Sequence, residues 1–264
     1  MNIKLLIGFV LVFSLNAVSQ TGVFPFGALI DDLRADLSNE PGIRLVIEYP
    51  AEIGLDYVIT TKSYDLEGRL VSRIRIIAGE EIHSGKSRKY ISKEQFDYNQ
   101  DGQLIEIRGL DQIGNVKSVQ KFRYDSEGEL QEVRSSTSDN VTIERKVYSY
   151  DISKCTVDVT HEFYFEGKMR SAKKYRLKYS RGKLVSRVRL VSDGTSDSTT
   201  YSYNSSGLLT KVEFSGSFSY SYEYDYDLDR RGNWITRTGR LQYPGVENGD
   251  RRPRLSRRVI DYYR

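Results

Sequence analysis

The sequence predicts an all-β protein: an antiparallel meander of hairpin repeats, preceded by one short helix. Three observations carry that expectation. First, an aromatic residue, an acidic or amide turn residue, a glycine and an apolar strand recur in order. The units read YDLEGRLVSRIRI from Tyr64, YNQDGQLIEIRGL from Tyr98, YDSEGELQEVRSS from Tyr124, YNSSGLLTKVEFS from Tyr203 and YDYDLDRRGNWITRTGR from Tyr224. Self-similarity of this kind marks units that bury their apolar faces on one another. Second, twenty tyrosines against five prolines favour a pleated surface. Third, several runs alternate at period two. Leu70, Ser72, Ile74 and Ile76 oppose Val71, Arg73, Arg75 and Ile77, and Leu184, Ser186, Val188 and Leu190 oppose Val185, Arg187, Arg189 and Val191. Apolar-in, charged-out alternation is what a strand with one face on a core and one in water requires.

Taken in order, residues 1–19 read as a cleaved signal peptide. Met1 to Lys4 is basic, Leu5 to Leu15 is apolar, and small Ala17 and Ser19 precede Gln20. The apolar run is shorter than the roughly 20 residues that span a bilayer, and no second one follows, so no transmembrane helix is expected. No cysteine stands near the cleavage point, which argues against a lipid anchor. The expected localisation is therefore export, to the periplasm or the extracellular space. In residues 20–42, Leu29, Ile30, Leu33 and Leu37 share a helical face opposite Asp31, Asp32, Arg34 and Asp36.

Residues 43–264 read as a single β domain. Gly68, Gly102, Gly128, Gly167, Gly182, Gly207 and Gly232 stand between strands, where tight turns demand positive φ. Two units break register: Lys154 occupies the glycine place after Tyr150-Asp151, and Tyr179 sits one residue too close to Gly182. Cys155 is the only cysteine, so no intramolecular disulfide forms; it is expected as a small buried hydrophobe in a strand from Cys155 to Val159.

These units resemble YD repeats of the RHS type. Tyr64-Asp65-Leu66-Glu67-Gly68-Arg69-Leu70 matches that pattern at every defined position, and Tyr124 to Leu130 departs only at Glu129. The segment Asp229 to Trp234, followed by Arg257 to Tyr263, is similar to the close of many small exported Bacteroidetes proteins. The resemblance covers roughly residues 60–264. It implies a rolled sheet or porin-like barrel, and a role as scaffold, adhesin or binding module.

Little in the chain points to catalysis. His83 and His161 share no motif, and the usual nucleophile, zinc and phosphate-loop signatures are missing. The chain is therefore expected not to be an enzyme. Calcium is the one cofactor the sequence suggests. Asp97, Asn99 and Asp101 place oxygens at alternate positions before Gly102, although the twelfth position, which should be a bidentate acid, is Arg108. Residues 230–264 hold ten arginines against three carboxylates. Arg251, Arg252, Arg254, Arg257 and Arg258 form the candidate polyanion patch. Tyr220, Tyr222 and Tyr224 alternate along one strand and project from one face, with Trp234 in the unit that begins at Tyr224. Such rings are platforms for sugars. The function expected is a non-enzymatic envelope or secreted module that binds an envelope glycan or protein, with nucleic acid excluded by export. A structural or accessory assembly role is the alternative, and a glycan-processing hydrolase a distant one.

Overall fold

The computed structural model describes residues 42–50, 57–80, 87–190, 197–244 and 254–263. The signal peptide and helix expected from the sequence lie outside them. The described strands are β1 (Ile43–Pro50), β2 (Tyr57–Tyr64), β3 (Leu70–Glu80), β4 (Ser87–Tyr98), β5 (Leu104–Leu110), β6 (Val116–Tyr124), β7 (Leu130–Thr137) and β8 (Thr142–Asp151). They continue as β9 (Thr156–Phe165), β10 (Lys168–Ser180), β11 (Lys183–Leu190), β12 (Ser198–Tyr203), β13 (Leu209–Ser215), β14 (Tyr220–Leu228), β15 (Trp234–Gln242) and β16 (Arg254–Tyr262). Each strand pairs antiparallel with the next, and β1 also pairs with β16, so the meander closes into a barrel. At the seam Val46 faces Ile260 and Glu48 faces Arg258. Closure leaves no unpaired edge to template aggregation.

The recurring unit builds one end of the barrel. In the corner between β6 and β7, Asp125 N–H donates to Glu129 O (2.9 Å) and Gly128 N–H donates to Asp125 O (3.2 Å). The Asp125 carboxylate then accepts from Glu129 N–H at 2.7 Å. Gly128 sits at φ +83°, a conformation that disfavours any Cβ. Asp65, Asn99, Asn204 and Asp229 cap their own corners in the same way. An acid or amide at this place is therefore a backbone cap, a role that the Thr137 hydroxyl fills at the longer distance of 3.3 Å from Val141 N–H.

Tyrosine ties one corner to the last. Tyr98 Oη donates to Leu70 O (2.9 Å), Tyr124 to Leu104 O (2.7 Å), Tyr203 to Leu184 O (3.0 Å) and Tyr226 to Leu209 O (2.7 Å). Tyr150 binds Leu130 O likewise, and across the seam Tyr263 donates to Tyr64 O at 2.6 Å. The leucines beneath are sealed: Leu104, Leu130 and Leu184 have no exposed surface, and Leu70 has 1 %.

Two corners depart from the pattern for local reasons. After Asp151 the chain makes one 3₁₀ turn, Ile152–Lys154, and the left-handed residue is Cys155 at φ 52°. Cys155 is thus exposed and precedes β9, which corrects its expected place inside a strand. Between β10 and β11, Arg181 and Gly182 both take positive φ (48° and 75°), a two-residue turn that is shorter than the capped corner. That accounts for the missing residue between Tyr179 and Gly182.

Each capped corner also inserts a bulge, and the bulge reverses the expected facing. Pairing jumps from Ser63↔Ser72 to Tyr64↔Leu70, leaving Val71 unmatched. Beyond it Arg73 and Arg75 turn inward while Ser72, Ile74 and Ile76 turn outward, since a one-residue slip exchanges the two faces. Arg73 accordingly lies over the core ring of Phe96 at 5.6 Å. On β11, Arg187 stacks on Tyr175 at 4.3 Å and Val188 faces out. The charged-out half of the sequence expectation is reversed on these two strands.

The corner chemistry makes a quantitative prediction. Tyr124→Phe leaves the Leu104 carbonyl without its hydroxyl donor and should cost about 0.5–1.5 kcal/mol, lowering Tm by about 2–4 °C per kcal/mol. Thermal denaturation followed by circular dichroism reads the change, and an unaltered Tm would show the tyrosine ladder to be idle.

Candidate functional site

The inner wall is layered. Nearest the capped corners it is apolar, through two clusters that meet at Tyr148: one around Val46, Leu70, Phe96, Leu104 and Val133, the other around Val157, Leu177, Leu184, Tyr201 and Val212. Farther along the strands the inner wall becomes charged. Arg73 donates to Glu94 (2.5 Å), and Arg75 reaches the same carboxylate at 3.2 Å. Burial pushes Glu94 up, but the two guanidiniums outweigh it and hold it below the usual carboxylate range. Across the seam Glu48 receives Arg237 (3.1 Å) and Arg258 (3.2 Å).

A second charged group lies on β8, β9 and β10. Lys146 is paired in register with His161, and His161 with Lys173. His161 Nε2 lies 3.4 Å from Glu144, and its ring packs 4.1 Å from Phe163. Burial lowers the pKa of His161, against the neighbouring Glu144 carboxylate, which raises it. Lys146 is likewise lowered by burial, with Glu144 opposing and Arg187 adding to the effect.

Next to that group runs an aromatic wall. The inward row continues from Arg187 to Thr199, Phe214 and Tyr220 across β11–β14. Phe214 stacks on Tyr220 with centroids 5.1 Å apart, and Tyr222 stacks on Tyr224 at 6.2 Å. Tyr220, Tyr222 and Tyr224 are half-buried on this inner face. Strand alternation thus brings the three tyrosines of the sequence expectation together with a phenylalanine the sequence did not single out. Trp234 is different. It is 3 % exposed, with Arg258 over its ring at 3.3 Å and Arg237 at 4.9 Å, so its faces are already covered.

The remaining candidates are dispersed. Asp97 faces outward and pairs with Arg108 at 2.6 Å, while Asn99 spends its side chain capping its own turn and bonding Gln103. Asp101 lies in the same corner, exposed. Among the described residues no three His, Cys, Asp or Glu side chains gather closely enough to hold a metal ion. The arginine patch does not form one surface either. Arg257 is exposed on the outer wall and Arg258 is buried in the inner one, because neighbouring strand residues face oppositely. Arg251 and Arg252 lie outside the described residues, as does the side chain of Arg254.

The outer wall carries ion pairs through most of its circumference. Arg145 bridges Glu132 (2.7 Å) and Glu162 (3.3 Å), Arg176 binds Asp158 (2.8 Å) and Lys211 binds Glu213 (2.7 Å). Arg73, Arg75, Arg187, Arg237 and Lys146 are inward cations that the sequence did not identify as site candidates. For the four arginines the signal is the extra residue that the preceding glycine corner inserts.

No family model matches the chain, and no curated protein matches it. Among solved structures, a porin-like protein from Bacteroides uniformis is similar over 84% of this chain and 97% of its own, at 13% identity and a TM-score of 0.42. A DUF3836 family protein from Parabacteroides distasonis is similar over 47% of this chain and 91% of its own, at 15% identity and a TM-score of 0.22. At these scores neither likeness carries an argument about this chain. Among the described residues no helix is long and apolar enough to cross a membrane, which leaves membrane-crossing by strands a separate matter.

The buried imidazole sets a pH dependence. With its native pKa below the ordinary 6.5, His161 is neutral in the fold, and the unfolded chain takes up the proton first as pH falls. Its contribution is therefore complete above about pH 6.5 and is lost as pH falls through that value toward the lower native pKa. Tm should decline between pH 7.5 and 5.5, and His161→Gln should flatten that decline; parallel pH profiles for the two proteins would contradict the assignment.

Proposed function

We propose that this chain is an exported, non-enzymatic YD-repeat-type barrel that stands in water in the envelope or outside the cell and binds a glycan on its inner wall. The observation that carries the reading is the inward array of Phe214, Tyr220, Tyr222 and Tyr224. Stacked, half-buried rings on a concave wall present flat apolar faces together with hydroxyls, the combination that sugar rings engage. The outer wall supports the water-bathed setting. A lipid-facing barrel presents an apolar band about 25 Å tall, and charge near its midplane costs about 2–4 kcal/mol for Arg or Lys. Arg108, Arg145, Arg176 and Lys211 stand where that band would be.

One observation favours the assembly reading as the second. On the outer wall β1 to β4 carry Ile47, Ile59, Ile74, Ile76 and Ile91 in adjoining register positions. An apolar patch of this kind fits a protein neighbour.

Thermal melting of the chain from Gln20 onward, against a panel of oligosaccharides, separates the two. A sugar at about a hundred times its Kd adds about 2.7 kcal/mol, which raises Tm by about 5–10 °C, and Tyr222→Ala should abolish the rise. No shift with any sugar, together with a concentration-dependent oligomer, would replace the glycan reading with the assembly one.

A further inference from the structure

Among the described residues cations exceed carboxylates on the inner wall, and the excess is placed beside the aromatic array. Near the seam each inward acid already serves two bases: Glu94 holds Arg73 and Arg75, and Glu48 holds Arg237 and Arg258. On β8–β11 the imbalance is sharper. Lys146, His161 and Lys173 are cross-strand neighbours in one row, and Glu144 is the acid beside them. Glu144 is engaged with His161. Among the described residues no carboxylate lies within ion-pair distance of Lys146 or Lys173; the Lys173 ammonium instead sits 5.3 Å over the Phe163 ring. Arg187 completes the group and begins the row that leads through Thr199 to Phe214 and Tyr220.

A half-buried ammonium whose neighbouring acid is already engaged elsewhere is costly, because its hydration is partly stripped and only partly replaced. A fold that sets one of them, Lys146, within electrostatic reach of Arg187, with the exposed Lys173 farther along the row and sugar-stacking rings adjoining, is complementary to an anion carried on a ring. We infer that the ligand of the inner wall is a negatively charged oligosaccharide, bearing carboxylate or sulfate groups. Its pyranose rings lie on Phe214, Tyr220 and Tyr222, and its anionic groups meet Lys146, Lys173 and Arg187. The inference rests on the glycan reading above and names the class of sugar. The lowered pKa of Lys146 agrees with it, since burial and Arg187 both disfavour the unpaired ammonium. An incoming anion opposes both effects by stabilising the charged form.

The test is isothermal titration of the whole barrel chain with three probes: an oligogalacturonate, a sulfated carrageenan oligosaccharide of matched length, and the neutral galacto-oligosaccharide obtained by reducing the uronate carboxyls. At least one anionic probe should bind about tenfold or more tightly than the neutral one, with affinity falling as salt rises. Which of the two wins distinguishes carboxylate from sulfate. Lys146→Met should lose about tenfold for the anionic probe, whereas Arg176→Gln, on the outer wall, should lose none. Both variants are compared by circular dichroism, and the salt dependence of the unaltered chain stands independently of their folding. Equal affinity for charged and neutral probes would overturn the anionic inference and keep the glycan reading. Silence with all three would overturn both.

Discussion

The hydrogen bond that an Asp or Asn side-chain oxygen accepts from the backbone N–H four residues on is the constraint that the rest of the barrel depends on. It fixes the corner, the corner forces a left-handed glycine, and the glycine turn leaves one extra residue in the outgoing strand. A tyrosine just before the cap, or three residues before it at Asp229, then lies over the previous unit and closes its leucine carbonyl with a hydroxyl. Cap, glycine, leucine and tyrosine thus form one mechanical joint, repeated around the end of the barrel and finished across the seam by Tyr263 on Tyr64. Beneath the joint Leu104, Leu130 and Leu184 are fully sealed. Above it the wall is free to carry polar groups, because the apolar core is confined to one end.

The extra residue at each corner has a functional consequence. It exchanges the two faces of the outgoing strand, so arginines that alternate with isoleucines on β3 are carried to the inside. On β11 the same jump turns Arg187 toward Tyr175. An interior built this way holds apolar residues at the corner end and cations farther along, while ion pairs cover most of the outside. The charged outside differs from the apolar outer band of a lipid-embedded barrel.

Much of the fold was legible in the sequence because the joint is local. Asp125 to Glu129 or Asn204 to Leu208 announce their turns through residues only four apart, and the hairpin meander follows from them. What sequence could not supply was long-range or register-dependent. Closure rests on β1 meeting β16 more than 200 residues later in the chain, for which no local pattern exists. Facing was misjudged on β3 and β11 because period-two alternation was followed straight through a bulge. Cys155 was misplaced since a 3₁₀ turn substitutes for the glycine corner there. Tyr220, Tyr222 and Tyr224 were legible as a row, since alternation along one strand needs no partner. Lys146 was not, because its significance lies in neighbours on three other strands.

The seam is where the account is tested most directly, since without closure there is no inner wall. Ile47 and Val259 face each other across β1 and β16 on the outer side. Directly opposed antiparallel residues have Cα separations of about 4.5–5.5 Å, within the span a disulfide accepts. In a Cys155→Ser background, Ile47→Cys with Val259→Cys should therefore oxidise in the folded state without loss of β structure. Closing so long a loop should add stability on the order of 4–5 kcal/mol, read as a raised Tm that reductant reverses. Two thiols that stay free in the folded, oxidised protein would mean that the sheet is open at β1 and β16, and the lumen, with its aromatic and cationic wall, would not exist.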